Sequence, residues 1–197
     1  MELDPLPMAL DWQVEPDDWS VGPDGSLRIA AGPRTDLFAD PGGQPAIANA
    51  PRLLGPVEGD FLLSARVTPQ LRATFDAGAL LLYAAHDAWI KLALERSPEG
   101  AATIVSVVTL GVSDDCNSWT VDGDGVWLRI GRVGRACVLH ASRDGAQWDL
   151  VRHLAFDVRG DLAAGFLAQS PTGDGAAARF ADVRFAAATL VDVRDGS

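Results

Sequence analysis

Apolar and polar residues alternate with a period of two along most of the chain, the pattern of half-buried β-strands. The stretch AWIKLALER has one aliphatic face and one face with an indole and two opposite charges: Ile90, Leu92 and Leu94 against Trp89, Lys91 and Glu95. Comparable alternation predicts strands at 27–31, 46–49, 60–68, 77–84, 88–96, 102–109, 126–132, 136–142, 148–153, 162–169 and 178–186. Turn signals rich in Gly, Pro and Asp separate these strands, and no amphipathic helix longer than two turns is predicted. The pattern predicts an all-β fold of antiparallel sheets, arranged as a sandwich or jelly roll.

One hairpin is predicted in detail, around the RDG turn at 143–145. Gly145 can take a positive φ, which suits a tight connection between the flanking strands. Side-chain oxygens of Ser142 and Asp144 are expected to accept hydrogen bonds from turn amides. Trp148 is expected to cover the turn.

A polar sheet face follows from the same parity argument. In strand 126–132, Leu128 and Ile130 form the core face, which leaves Trp127 and Arg129 on the other side. If this strand lies beside 88–96, their polar faces merge, because adjacent strands lie about 4.8 Å apart. The merged face would contain Trp89, Lys91, Glu95, Trp127 and Arg129, with Tyr83 and Ser106 as further candidates on neighbouring strands.

Two interpretations of this face stay open. It can be a partly solvated surface with cross-strand ion pairs between Glu95 and either Lys91 or Arg129, each worth about 0 to 1 kcal/mol when exposed. It can instead be a concave binding surface, where aromatic rings offer an apolar platform to a sugar ring and charged groups bond its hydroxyls. The indoles favour the second interpretation, since exposed tryptophans in a cluster usually mark an interaction site.

Composition restricts the partners. The chain has 197 residues, a net charge of −11 and no Lys/Arg-rich stretch, which excludes nucleic acid and anionic membranes as predicted partners. The length predicts one domain over 1–188, with a frayed tail at 189–197. The sequence shows neither a spanning segment nor a signal peptide, so a cytoplasmic location is expected. Cys116 and Cys137 are then expected to be free thiols.

Catalytic and metal motifs are sparse. Glycoside hydrolysis needs two carboxyls about 5 to 9.5 Å apart, and Glu95 is the one acidic residue placed firmly on the polar face. Asp36, Asp76 or Asp114 could approach it from loops. A neighbouring cation is expected to keep Glu95 ionised, which is wrong for a general acid.

The DGDG string at 122–125 lacks the glutamate of an EF-hand loop. Asp114, Asp115, Asp122 and Asp124 could still form a loop calcium site, but a solvated acidic hairpin end is the favoured interpretation. No zinc spacing occurs, so no metal and no cofactor are predicted.

Four longer stretches resemble an uncharacterised family of concanavalin A-like jelly rolls, domain of unknown function 1349, which includes the fungal "regulation of enolase" protein. They are AGALLLYAAHDAWIKLALE, SVVTLGVSDD followed by a Trp, VWLRIGRVGRACVLHASRDGAQW, and GFLAQSPTGDG followed by a Phe. The resemblance covers roughly residues 10–186 and implies a β-sandwich of two antiparallel sheets, one of them curved. It implies recurrent positions at Trp89, Lys91, Glu95, Ser106, Thr109, Ser113, Asp114, Trp119, Trp127 and Arg129.

The combined prediction is a non-catalytic binding module for a carbohydrate-like or polyhydroxylated ligand. Lys91, Glu95 and Arg129 would contact hydroxyl or carboxylate groups, and Trp89 and Trp127 would stack on the ligand. Further ligand-binding candidates are Ser106, Tyr83, Asp114 and Trp119. A protein-interaction or regulatory module, including a homodimer, is the first alternative, and a glycoside-active enzyme is the second.

Overall fold

Two seven-stranded antiparallel sheets form the molecule, in a computed structural model that describes residues 1–158 and 160–197. We name them sheet A and sheet B. In spatial order, sheet A contains β1 (Asp11–Val14), β6 (Arg52–Val57), β15 (Leu162–Gln169), β8 (Ala77–Ala85), β9 (Ala88–Arg96), β10 (Ala102–Leu110) and β11 (Val112–Thr120). Sheet B contains β14 (Asp149–Ala155), β13 (Ala136–Ser142), β12 (Val126–Val133), β7 (Phe61–Pro69), β16 (Ala176–Ala186), β3 (Leu27–Ala31) and β2 (Asp18–Val21). A short pair, β4 (Leu37–Phe38) and β5 (Ile47–Ala48), stands apart.

The inner faces of the two sheets pack against each other and form the main core. Most alternate residues of the central strands are aliphatic or aromatic, so one face of each sheet excludes water. The core includes Leu80, Leu82, Ile90, Leu92 and Phe166 from sheet A, and Leu63, Val67, Leu128, Ile130 and Phe180 from sheet B. The predicted all-β sandwich of two antiparallel sheets is therefore confirmed. None of the described residues forms a helix long and apolar enough to cross a membrane.

The strands β9 and β12 lie in different sheets. The condition under which their polar faces would merge is therefore not met. Their apolar faces meet across the core, so their polar faces point away from each other, to opposite sides of the sandwich. The residues predicted to form one site are thus divided between two surfaces.

Residues 34–50, which we call the strap, cross the outer face of sheet A. Three apolar strap residues, Leu37, Ala39 and Ala50, pack in a second small core with side chains of sheet A. At one end Thr35 forms a bridge with Ser170. Further along, Ala39 and Ser113 are joined by two hydrogen bonds, one from the Ala39 N–H to the Ser113 hydroxyl and one from the Ser113 N–H to the Ala39 carbonyl.

The final residues also lie against the sandwich. Leu190 is buried, and the carbonyls of Val193 and Gly196 accept hydrogen bonds from side chains on the outer face of sheet B. The expectation that 189–197 is frayed is therefore wrong for this segment, because it finds buried hydrogen-bond donors on β12 and β13.

Candidate functional site

The register of β8, β9 and β10 fixes which side chains share the outer face of sheet A. Trp89 lies opposite Tyr83 on β8 and Thr109 on β10. Lys91 lies two residues further along, with Leu81 and Val107 as its partners. Directly paired residues in antiparallel strands point to the same side, so Lys91, Trp89 and Tyr83 project outward, as the sequence predicts.

The strap covers Trp89, so a ligand on the outer face of sheet A cannot contact its indole. Its side chain is only 1% exposed and packs in the second core, together with strap residues and Leu81. Its Nε1 has no hydrogen-bond partner. A stacking role for Trp89 is therefore wrong, because residues 34–50 cover the indole in place of a ligand.

A cavity of about 200 Å³ remains where the strap leaves the outer face open. It combines a polar floor with aromatic and aliphatic walls, and it is lined by Asp36, Phe38, Phe75, Lys91, Glu95, Val105, Val107, Asp115 and Gln169. Two of these residues, Lys91 and Glu95, belong to the predicted site, and Asp36 was named as a loop carboxylate that could reach Glu95. We take this cavity as the candidate functional site.

Gln169 connects the polar groups of the cavity. Its Oε1 accepts a hydrogen bond from the Lys91 ammonium at 2.9 Å. Its Nε2 donates to the carbonyl of Phe75 at 3.2 Å and to the Glu95 carboxylate at 3.4 Å. The Lys91 ammonium also lies 3.6 Å from a carboxylate oxygen of Asp36. This network holds a buried cation between an amide and a carboxylate, as a buried charge requires.

Burial raises the pKa of Glu95 to about 7, even though the charge of Lys91 acts to lower it. The negative charges of Asp36 and Asp115 raise it further. The expectation that a neighbouring cation keeps Glu95 firmly ionised is therefore wrong, because removal from water has the larger effect. Near neutral pH this carboxyl exchanges readily between its acid and its carboxylate form.

Phe75 forms an exposed aromatic wall on an unusual backbone. Its φ is +70°, a left-handed conformation that bulky residues rarely adopt. Hydrogen bonds fix both sides of the residue: its N–H donates to the Arg96 carbonyl, and its carbonyl accepts from Gln169. Asp76, buried beside it, accepts hydrogen bonds from two loop amides and from the Ser170 hydroxyl. Asp76 is thus a loop anchor, and Phe75 is held at the cavity with 39% of its surface exposed.

Trp127 and Arg129 lie on the outer face of sheet B and do not join this site. Trp127 packs over the β13–β14 turn, where a Cβ on Gly145 would come within 2.9 Å of its Nε1, and the guanidinium of Arg66 lies 5.3 Å from its ring. Arg129 stacks on Trp148 at 4.2 Å. The predicted turn bonds from Ser142 and Asp144 are confirmed, but Trp127 covers the turn instead of Trp148.

Three other candidates also point elsewhere. Ser106 pairs with the core residue Leu92, so its side chain faces the sandwich interior. Asp114 forms an ion pair with Arg152 of sheet B at 3.2 Å. Trp119 packs against the main core, and the guanidinium of Arg143 lies over its ring.

Tyr83 is on the predicted face but outside the cavity. The guanidinium of Arg52 lies 5.6 Å from its ring and donates to two strap carbonyls, those of Ala48 and Ala50. Tyr83 therefore supports the anchor of the strap. Among residues 1–158 and 160–197, no cluster of three or more His, Cys, Asp or Glu side chains is arranged to hold a metal ion.

Solved structures with the same fold include proteins of different kinds. A functionally unknown protein from Saccharomyces cerevisiae is 21% identical, with a TM-score of 0.84 over 92% of this chain and 97% of the yeast chain. The GH43 BlXynB protein from Bacillus licheniformis is 19% identical, with a TM-score of 0.71 over 90% of this chain. The alginate lyase from Klebsiella pneumoniae is 12% identical, with a TM-score of 0.58 over 86% of this chain and 84% of the lyase.

These likenesses establish the fold alone, since all of these identities are low. This chain corresponds to 37% of the length of the Bacillus GH43 chain. No curated protein matches the sequence. Residues 12–188 match a family described as protein of unknown function, DUF1349. Because that match spans most of the sequence, the chain belongs to the DUF1349 family.

Proposed function

We propose that the cavity beside the strap binds a small, uncharged, polyhydroxylated ligand of the carbohydrate type. The observation that carries this proposal is the Lys91–Gln169–Glu95 network, which faces a cavity walled by Phe38 and Phe75. Hydroxyl groups can donate to the carboxylates and accept from the ammonium, while an apolar ring face packs on an aromatic side chain. Sites of this kind combine apolar walls with a few convergent polar groups.

The size and charge of the cavity narrow the ligand. Its volume, about 200 Å³, is below the roughly 300–1,000 Å³ of sites for drug-sized ligands, so it suits a single ring better than a chain. It contains the carboxyl groups of Asp36, Glu95 and Asp115 against one cation, Lys91. A ligand with a carboxylate would meet repulsion from this set. Neutral sugars are therefore expected to bind better than uronic acids.

Two adjacent aspartates offer a matched test of the proposal. Asp115 lines the cavity, whereas Asp114 points to Arg152 on the other sheet. Asp115→Asn and Asp114→Asn remove the same charge one residue apart. Calorimetric titration with a panel of neutral monosaccharides and glucuronate should show saturable binding of a neutral sugar to the parent protein.

The loss of a hydrogen bond to a charged group, roughly 1.5–3 kcal/mol, predicts binding that is roughly tenfold to a hundredfold weaker in Asp115→Asn. Asp114→Asn should bind like the parent. No binding across the panel, or equal loss in both variants, would contradict a sugar site in this cavity.

Glu95 supports a second candidate function, the hydrolysis of a small glycoside. A general acid must be protonated near the working pH, and burial raises the pKa of Glu95 to about 7. The carboxylates of Asp36 and Asp115 share its cavity and could activate water. In such a reaction Glu95 would donate its proton to the glycosidic oxygen while the bond from that oxygen to the anomeric carbon breaks, which releases the alcohol. Water would add to the anomeric carbon, and Asp36 or Asp115 would take the proton that the water gives up.

Methyl glycosides would test this second function by the release of the free sugar, because a methoxide leaving group needs the proton that Glu95 would supply. Glu95→Gln should retain binding and lose the release, while Glu99→Gln, in an exposed turn, should keep both. Binding without any turnover by the parent protein would leave the cavity a binding site only.

A protein-interaction role has less support, because the chain's own strap covers the apolar centre of the outer face. A regulatory role, a homodimer and a cytoplasmic location stay predictions.

A further inference from the structure

The segment 190–197 lies against Arg129, His140 and Trp148 on the outer face of sheet B, on the side of the sandwich opposite the cavity described above. The carbonyl of Val193 accepts a hydrogen bond from His140 Nε2 at 2.9 Å. The carbonyl of Gly196 accepts one from the Arg129 guanidinium, also at 2.9 Å. Two neutral backbone carbonyls thus accept hydrogen bonds from two buried side chains.

These two donors belong to a row of basic side chains that crosses sheet B. Ser64 on β7 pairs with Arg184 on β16 and with Arg129 on β12, and Arg129 pairs with His140 on β13. Paired residues share a face of the sheet, so two arginines and a histidine align on its outer side. Such a row is unexpected in a chain with a net charge of −11.

Arg129 is buried without an opposite charge. It is 7% exposed, and among the described residues no carboxylate forms an ion pair with it. Its Nε has no hydrogen-bond partner. Buried charges are normally paired, since their removal from water is costly. The ring of Trp148, 4.2 Å from the guanidinium, supplies an aromatic wall but no anion.

We propose that the pocket formed by Arg129, His140 and Trp148 binds a small anion with a phosphate or carboxylate group, and that this anion displaces the segment 190–197. A planar guanidinium can form two parallel hydrogen bonds to such an anion, stronger than a bond to a neutral carbonyl. The segment then competes with the anion for the same donors. The affinity of the intact chain for the anion is therefore the affinity of the uncovered site multiplied by the fraction of molecules in which the segment is lifted.

A matched pair of glycine variants tests this competition. Gly196 has φ +77°, and a Cβ there would lie 2.1 Å from the Arg129 guanidinium and 3.0 Å from Trp148. Gly25 has nearly the same φ, +76°, with nothing within 4 Å. Gly196→Ala requires either the segment or the flexible Arg129 side chain to move, whereas Gly25→Ala imposes similar backbone strain at a distant turn. Hydrogen exchange of 189–197 reports whether the segment is lifted.

Calorimetric titrations with inorganic phosphate and with acetate, at an ionic strength kept constant with chloride, measure the binding and distinguish the two anion types. We expect saturable binding of at least one anion to the parent protein, with faster exchange of 189–197 as the anion is added. Gly196→Ala should bind at least about tenfold more tightly, and Gly25→Ala should match the parent. Adding Arg129→Gln to Gly196→Ala should abolish the binding, with exchange of β7 unchanged as the check on folding.

Three outcomes would overturn the proposal. The first is the absence of saturable binding to a Gly196→Ala protein whose segment exchanges rapidly. The second is binding that survives Arg129→Gln. The third is a parent protein whose segment exchanges at the same slow rate at every anion concentration. None of these outcomes bears on sugar binding at the cavity beside the strap.

Discussion

Glu95 is expected to make the stability of the protein fall as the pH rises. Its pKa is about 7 in the folded protein against an ordinary value of 4.5, with burial as the main cause. The folded state therefore holds the proton more tightly than the unfolded state. Below about pH 4.5 this side chain is protonated in both states, and the unfolding free energy is at its full value. As the pH rises through about 7 the side chain ionises, and this part of the unfolding free energy is lost. At about 1.4 kcal/mol for each tenfold change in proton affinity, the complete loss is up to about 3 kcal/mol.

Glu95→Gln should remove this dependence, because glutamine resembles the protonated acid and never ionises. Urea unfolding at several pH values between 4 and 8 measures the difference from the parent protein. We expect the gain in unfolding free energy to be smallest at pH 4 and to grow to about 3 kcal/mol at pH 8. Glu99→Gln, in the exposed β9–β10 turn, serves as the control and should show no such trend. Parallel stability curves for Glu95→Gln and the parent would refute the claim that burial dominates at this carboxyl.

Further predictions concern the strap and the thiols. Trp89→Ala should lower the unfolding free energy by about 3–5 kcal/mol in urea titrations, as for a buried aromatic residue, whereas a loss below about 1 kcal/mol would indicate an exposed indole. Ser113→Ala removes the hydroxyl that accepts a hydrogen bond from the Ala39 N–H of the strap, and it should speed amide hydrogen exchange across residues 37–40. Ser118→Ala, at an exposed position of the same strand, should leave that exchange unchanged. Burial raises the pKa of Cys137 to about 11. A thiol reagent at pH 8 should therefore label the exposed Cys116 in the native protein, and Cys137 only after unfolding. Rapid labelling of both thiols in the native protein would contradict the burial of Cys137.

Strands with strong alternation could be predicted from the sequence, and strands without it could not. The strands β3, β9, β13 and β15 begin and end where the pattern indicates. The edge strand β11, VSDDCNSWT, is almost entirely exposed and shows no apolar period, so it was missed. The strand β6, RLLGPV, was missed because it contains Gly55 and Pro56, residues that usually signal a break.

The candidate site was predicted only in part, because periodicity gives the face of a strand but not its sheet. Lys91 and Glu95 are correctly placed on an outer face, and Asp36 does approach Glu95. Trp127 has the same parity in its own strand but lies on the opposite side of the molecule. No sequence pattern indicated Phe75 or Gln169 as site residues. Phe75 lies on a loop, and Gln169 ends β15, whose neighbouring strands β6 and β8 are distant in sequence.

The strap also bears on how the cavity can change without a change in the two sheets. Its anchoring residues, Leu37, Ala39 and Ala50, are buried, whereas 41–49 between them are exposed. Insertions or deletions in this exposed stretch would leave both sheets intact, because such loops tolerate changes of length at small cost. Asp36 and Phe38, which line the cavity, are part of the same segment. A change in this one loop can therefore alter the lining of the cavity, while the sheets keep their sequence constraints.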